Sequence, residues 1–250
     1  MEQVENNKMN GGSGIVAKIT SKFLGAVFGY MFIGLLLTAI VSFGFSWFIA
    51  ANYVTNGEIS ETGATILLAM VIGSAILSYI VILINNIYSL KTGKAPWVGF
   101  IVYAICMGIT FSVILLAGID FGTIGEAFGL TALAFGVMFL IGYFAKTDLS
   151  PLVFVAIALF LCIVMVSAFW FIFYLINPAA FSWLNVGISV AIILYCLIMV
   201  AIEANRIGKI AEKGQGNNNL ALFCAFTLYT DFIAIFIKIL FLILASKSRK

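Results

Sequence analysis

The chain has 250 residues, 64% of them hydrophobic and 9% charged, with a formal net charge of +3. An average soluble domain carries roughly 25% charged residues and 45–50% apolar ones, so this composition exceeds what a larger core would absorb. Disordered, coiled-coil, collagenous and disulfide-scaffold classes are thereby excluded, and a polytopic all-α membrane protein is left.

Residues 1–22 are polar and Asn-rich and contain Gly11-Gly12-Ser13-Gly14, so a disordered cytoplasmic tail is expected there. Seven apolar segments follow, at about 23–50, 64–88, 97–117, 124–145, 151–175, 183–203 and 220–245. Each reaches the roughly 20 residues that a helix needs to cross a bilayer. None alternates with the period of two of a membrane-barrel strand, so helices are the spanning option. The expected organisation is a single seven-helix membrane domain over 23–245, followed by a short basic tail at 246–250.

The connections set the topology. Lys8, Lys18 and Lys22 precede the first segment, Lys91 and Lys94 separate the second and third, and Lys146 the fourth and fifth. Residues 204–219 read as a basic, Gly/Asn-rich loop holding Arg206, Lys209 and Lys213. The alternate connections carry no Lys or Arg; residues 51–63 hold only Glu58 and Glu61. The positive-inside rule then makes the N-terminus cytoplasmic. A seventh crossing puts Lys247, Arg249 and Lys250 outside. Charges after the last span orient a chain weakly, so a crossing is expected in preference to a re-entrant segment. The GxxxG pairs Gly25/Gly29 and Gly125/Gly129 are expected to permit close helix contacts. The stretch around Gly214 and Gly216 lacks the GxxxxGK[ST] pattern of a phosphate cradle.

The chain has no histidine. That excludes Ser-His and Cys-His catalysis, His-ligated zinc or haem, and a histidine pH switch. Cys106, Cys162, Cys196 and Cys224 stand singly in apolar runs and read as small buried hydrophobes, not as disulfide or metal partners. The slight positive charge gives no reason to expect nucleic acid. No cofactor is expected; the partner certain from composition is the lipid bilayer.

A charge at mid-membrane costs roughly 2.5–3.5 kcal/mol on insertion scales, so each one needs a reason. Asp120 and Asp148 lie in connections, and Glu126 stands at the start of the fourth segment, where capping is favoured over a lumen-facing role. Asp231 lies near the centre of the last segment, after Tyr229 and Thr230. Lys238, seven residues on, shares nearly the same helix face, and snorkelling accounts for it as well as function does. Glu203 ends the sixth segment with Arg206 one turn later, the spacing of a simple surface pair. If Glu203 and Asp231 came together, they would share protons and respond to pH without histidine. Deprotonated, they would attract a hard cation such as Ca²⁺.

The run ALFCAFTLYTDFIAIFIKILFLIL resembles the C-terminal signature of the Bax-inhibitor family, the transmembrane Bax-inhibitor-motif proteins, through Leu228, Tyr229, Asp231, Phe232, Ile233 and Phe236. Residues 103–115, 126–137 and 145–152, the last containing Asp148-Leu149-Ser150-Pro151, are similar to the family's third and fourth helices and the connection after them. The resemblance is good over 97–152 and 195–245 and weak before 97. It implies seven helices, six surrounding a central seventh, and for bacterial-type members a pH-sensitive Ca²⁺ leak. The short tail and compact chain suggest that type and a bacterial plasma membrane. The family's aspartate pair falls on Glu203 and Asp231, with Glu203 a methylene longer than the pattern's Asp. Some relatives place an arginine late in the second helix as a partner for the pair; Asn85 and Asn86 stand there instead.

The expected function is therefore a cation leak channel, Ca²⁺ being the permeant ion, gated by protonation of Glu203 and Asp231. Arg206, Lys238, Asp148, Glu126 and Tyr229 are candidate supporting residues, and the pair itself is a candidate for transient Ca²⁺ contact. The alternative is a regulatory or scaffolding membrane protein that binds other membrane proteins in stress or quality control. An enzyme is not expected: rhomboid chemistry needs histidine, the YD and GxGD motifs of aspartyl intramembrane proteases are missing, and the Asp-to-Lys spacing is not that of retinal pigments.

Overall fold

The computed structural model describes residues 2–55, 58–92, 97–169, 178–213 and 216–247, without the side chains of 2–20, 55, 58, 86, 89–92 and 178–182. Among the described residues there are seven helices: α1 (Glu2–Tyr53), α2 (Glu61–Thr92), α3 (Trp97–Leu116), α4 (Phe121–Phe144), α5 (Leu152–Ala168), α6 (Pro178–Glu212) and α7 (Asn218–Lys247). A minimal antiparallel ribbon joins β1 (Val54–Thr55) to β2 (Glu58–Ile59), with Val54 opposite Ile59. Six helices are long and apolar enough to cross a membrane. The 17 residues of α5 reach about 26 Å at 1.5 Å per residue, short of a hydrocarbon core of about 30 Å. The rest of the segment expected at 151–175 runs into 170–177, outside the described residues.

Large apolar side chains are exposed here as well as buried, unlike in a soluble protein. Phe154, Val98 and Trp47 are about three-quarters exposed, whereas Ser78, Ser112 and Thr131 are enclosed. Lipid is as apolar as leucine, so large apolar side chains face outward and helices meet through small and hydroxyl residues.

Two sequence expectations about element boundaries change, and the backbone of 2–22 is helical and continuous with the first span. Once a long apolar helix has nucleated, each added residue gains a hydrogen bond, and the tail has no proline to stop it. Residues 204–212 are the last turns of α6, not loop. Ala204, Ile207 and Ala211 recur at helical spacing and are fully buried, a pattern hidden among Asn205, Arg206 and Lys209. The start of α4 is Phe121, and Asp120 Oδ2 caps it by accepting from Thr123 N at 3.2 Å. Glu126 therefore lies beyond the first turn and caps nothing.

The chain forms two compact units. The first comprises Met1–Ile119 with Gly216–Phe226, the second Asp120–Gln215 with Thr227–Lys250. In the first, α1 and α3 meet where Gly34 faces the Phe100 ring and Gly108 faces Val41, and Thr38 Oγ1 donates to Ala104 O at 3.2 Å. Ser74 and Thr110 join α2 to α3 by a 3.1 Å hydrogen bond, and Asn85 lies against Gly99. Phe226 of α7 meets Phe100 and Tyr103 edge-on.

In the second unit, Gly142 of α4 touches the backbone of Ala201 on α6, and Phe232 of α7 meets Phe128 and Phe135 of α4 edge-on. The close approaches are thus at Gly34, Gly108 and Gly142. The GxxxG pairs Gly25/Gly29 and Gly125/Gly129 meet nothing within 4 Å, so their expected packing role is not what brings these helices together.

The last helix is unbroken over 30 residues. Lys247 Nζ donates to Thr123 Oγ1 at 2.7 Å and stands 3.9 Å from Glu126 Oε2, at the beginning of α4. Lys209, near the end of α6, binds Asp148 just past the end of α4. The C-terminal end of α7 is thus level with the opposite end of α4, as a full crossing requires.

Candidate functional site: an acidic pair between two spanning helices

Helix α6 has two buried faces. At 100° per residue, Ala201, Asn205 and Gly208 form one stripe, and Cys196, Val200, Glu203 and Ile207 form another. The first stripe lies on α4, where Gly142 touches Ala201 and the Tyr143 carbonyl would be 3.3 Å from a Cβ at Gly208. The second carries the chemistry. Glu203 is buried, its Oε1 3.8 Å from Nη1 of the exposed Arg206 and its Oε2 enclosed without a hydrogen-bond partner. Asp231 of α7 is half-buried as a residue, but its Oδ2 is likewise enclosed and unpartnered. The charge of Glu203 acts on Asp231, so the two carboxylates share one electrostatic neighbourhood.

Lys238 and Asp231 both act on the Cys196 thiol, and Asp231 also acts on Tyr195. Asp231 and Lys238 therefore share an electrostatic neighbourhood with Tyr195 and Cys196 of α6. Tyr229 is fully buried two residues before Asp231. Glu126 is half-exposed beside Lys247, at the far end of α4 from Asp148.

A second polar cluster sits where α6 meets the α4–α5 connection. Asn205 Nδ2 donates to the carbonyls of Gly142 (3.2 Å), Ala145 (3.0 Å) and Thr147 (3.3 Å), and its Oδ1 accepts from Leu149 N at 3.4 Å. Lys209 Nζ donates to Asp148 Oδ1 at 2.6 Å, and Ser150 donates to the same oxygen from Oγ at 2.8 Å and from N at 3.2 Å. These bonds, the one from Lys209 foremost, hold the Asp148 carboxyl down at about 2.

The structure thus pairs Glu203 with Arg206 and Asp148 with Lys209, while Asp231 feels the charge of Glu203 and Lys238 acts on Cys196. Sequence reasoning missed Asn205, Tyr195 and Cys196. Asn205 was hidden because 204–212 read as loop; its signal is an amide at i+4 from Ala201 and i−3 from Gly208 on a continuing helical stripe. The thiols are all free, and Cys162 is exposed, unlike the other three, because an apolar side chain here can face lipid as well as the interior.

Apolar spanning helices that enclose an unpartnered acidic pair define a multi-pass integral membrane protein. Residues 20–249 match the family described as inhibitor of apoptosis-promoting Bax1, and the chain belongs to that Bax inhibitor family. The match begins before residue 97, so the family pattern takes in α1 and α2 as well as the later motifs. Among similar proteins, the inner membrane protein YbhL of Escherichia coli (strain K12) is 29% identical over 87% of this chain and 89% of its own length. A protein of Borreliella burgdorferi is 28% identical over 89% of this chain and 91% of its own. A membrane protein of Streptococcus pyogenes serotype M3 is 30% identical over 67% of this chain and 71% of its own.

Proposed function

We propose that the chain is a cation leak channel of a bacterial plasma membrane, gated by protonation of Glu203 and Asp231, with Ca²⁺ as its permeant ion, and not an enzyme. The observation that carries this reading is the pair of enclosed oxygens, Glu203 Oε2 and Asp231 Oδ2, without donors. An enclosed carboxylate oxygen with no donor is satisfied by a proton or by a cation. Two carboxylates offer at most four oxygens, fewer than the six to eight that Ca²⁺ takes. Water must complete the shell, and such an ion is held briefly enough to pass on. Protonation removes both the attraction for the cation and the repulsion within the pair, which biases the α6–α7 arrangement.

The test is Ca²⁺ and Na⁺ flux into liposomes across pH. Flux through the unaltered chain should depend on pH, and Asp231→Asn and Glu203→Gln should flatten that profile. Ca²⁺ flux and pH dependence unaltered by Asp231→Asn would overturn the proposal. The family's description as an inhibitor of another protein favours a second reading, a regulatory scaffold. A stoichiometric partner in native membranes, together with no ion flux, would establish it in place of the first.

A further inference from the structure

Outside the acidic pair, the densest set of buried polar contacts is the one around Asn205. A buried amide in a spanning helix is costly unless its hydrogen bonds are made. Here one side chain binds the connection at Gly142, Ala145, Thr147 and Leu149. Gly142 lies in the last turn of α4 and Ala145 just past its end, where helical donors run out. Asn205 lies about 160° around α6 from Glu203. The rotation of α6 that keeps Asn205 among those carbonyls is therefore the rotation that turns Glu203 toward Asp231. Gly142 already touches the Ala201 backbone, so α6 cannot respond by moving closer to α4. Turning of α6 in place strains the Asn205 bonds.

We infer that Asn205 is a positioning residue that ties the α4–α5 connection to the rotation of α6, so that a change of charge on Glu203 and Asp231 moves that connection. This rests on the reading of the pair as a protonation sensor. Among the described residues, the charged and titratable groups around the pair include Arg206, Tyr195 and Cys196 on α6 and Tyr229 and Lys238 on α7. Tyr143 stands at the end of α4, and Lys209 holds Asp148 in the connection. Asp148 titrates at about 2 and is silent at ordinary pH.

The experiment places a spin label at Lys146→Cys, in a Cys162→Ser background, in full-length protein in liposomes. Label mobility should change between about pH 5 and about pH 8, and the change should vanish in Asp231→Asn. In Asn205→Ala the label should be mobile throughout, with the pH response lost. A label that ignores pH in the otherwise unaltered chain overturns the inference, as does a full response in Asn205→Ala. Should Asn205→Ala fail to reach the membrane, Asn205→Gln decides: a reduced response supports the coupling, an unreduced one defeats it. Ca²⁺ flux on the same liposomes separates the two claims. Flux without pH dependence defeats the channel reading, whereas pH-dependent flux with an unresponsive label defeats the coupling alone.

Discussion

Asp148 accepts from Lys209 and twice from Ser150, which stabilises its charged form in the folded protein. Its carboxyl titrates at about 2 instead of 3.8. A depressed folded value means that the contribution is complete above the unfolded value and is lost as pH falls toward the folded one. Melting curves of Asp148→Asn and the unaltered chain should therefore differ at neutral pH and converge as pH falls below 3.8 toward about 2. The group is solvent-exposed, so salt should narrow the difference too. Glycine positions give a sharper contrast. A methyl at Gly142 meets the Ala201 backbone, whereas one at Gly129 meets open space. Gly142→Ala should cost about 1–3 kcal/mol of stability, while Gly129→Ala should leave the detergent melting temperature unchanged or slightly raised. Glu203 and Asp231 were legible in the sequence because a charge stands out in an apolar run. Asn205 was not, because an amide among polar neighbours has no contrast, and its worth lies in carbonyls about 60 positions away.

The elements were legible where hydropathy alone decides and obscure where it changes sign. Among the described residues every apolar segment holds a helix, yet α6 continues to Glu212 through residues that composition assigns to a loop. What extends it is a three-and-four spacing of Ala204, Ile207 and Ala211, which a hydropathy average erases. The basic end of α7 posed the opposite problem, since its charges argue against the side on which seven crossings place them. Lys247 meets Thr123 and Glu126, so the charge is received by partners at the start of α4. A full crossing predicts that single cysteines at Asn217 and Ser246 react with a membrane-impermeant maleimide from opposite sides of the bilayer. Labelling of both from one side would mean a re-entrant seventh helix.

At the scale of the molecule, the sequence carried the class, the helix count and the family, but not the division into two units. No composition shift marks the boundary at Ile119/Asp120, because both units are made of the same lipid-adapted helices. That division arises from which faces meet, and facing is a property of pairs of segments distant in the chain. The membership of α7 has a consequence for how the protein is made. Its residues up to Phe226 belong to one unit, and those from Thr227 to the other. Phe226 closes on Phe100 and Tyr103, and Phe232 on Phe128 and Phe135. A ribosome that has delivered the first six helices has therefore completed neither unit. Until the last 30 or so residues leave the exit tunnel, neither unit has the aromatic contacts that α7 supplies. A chain broken off before Asn218 would be recognisable as unfinished in both halves at once.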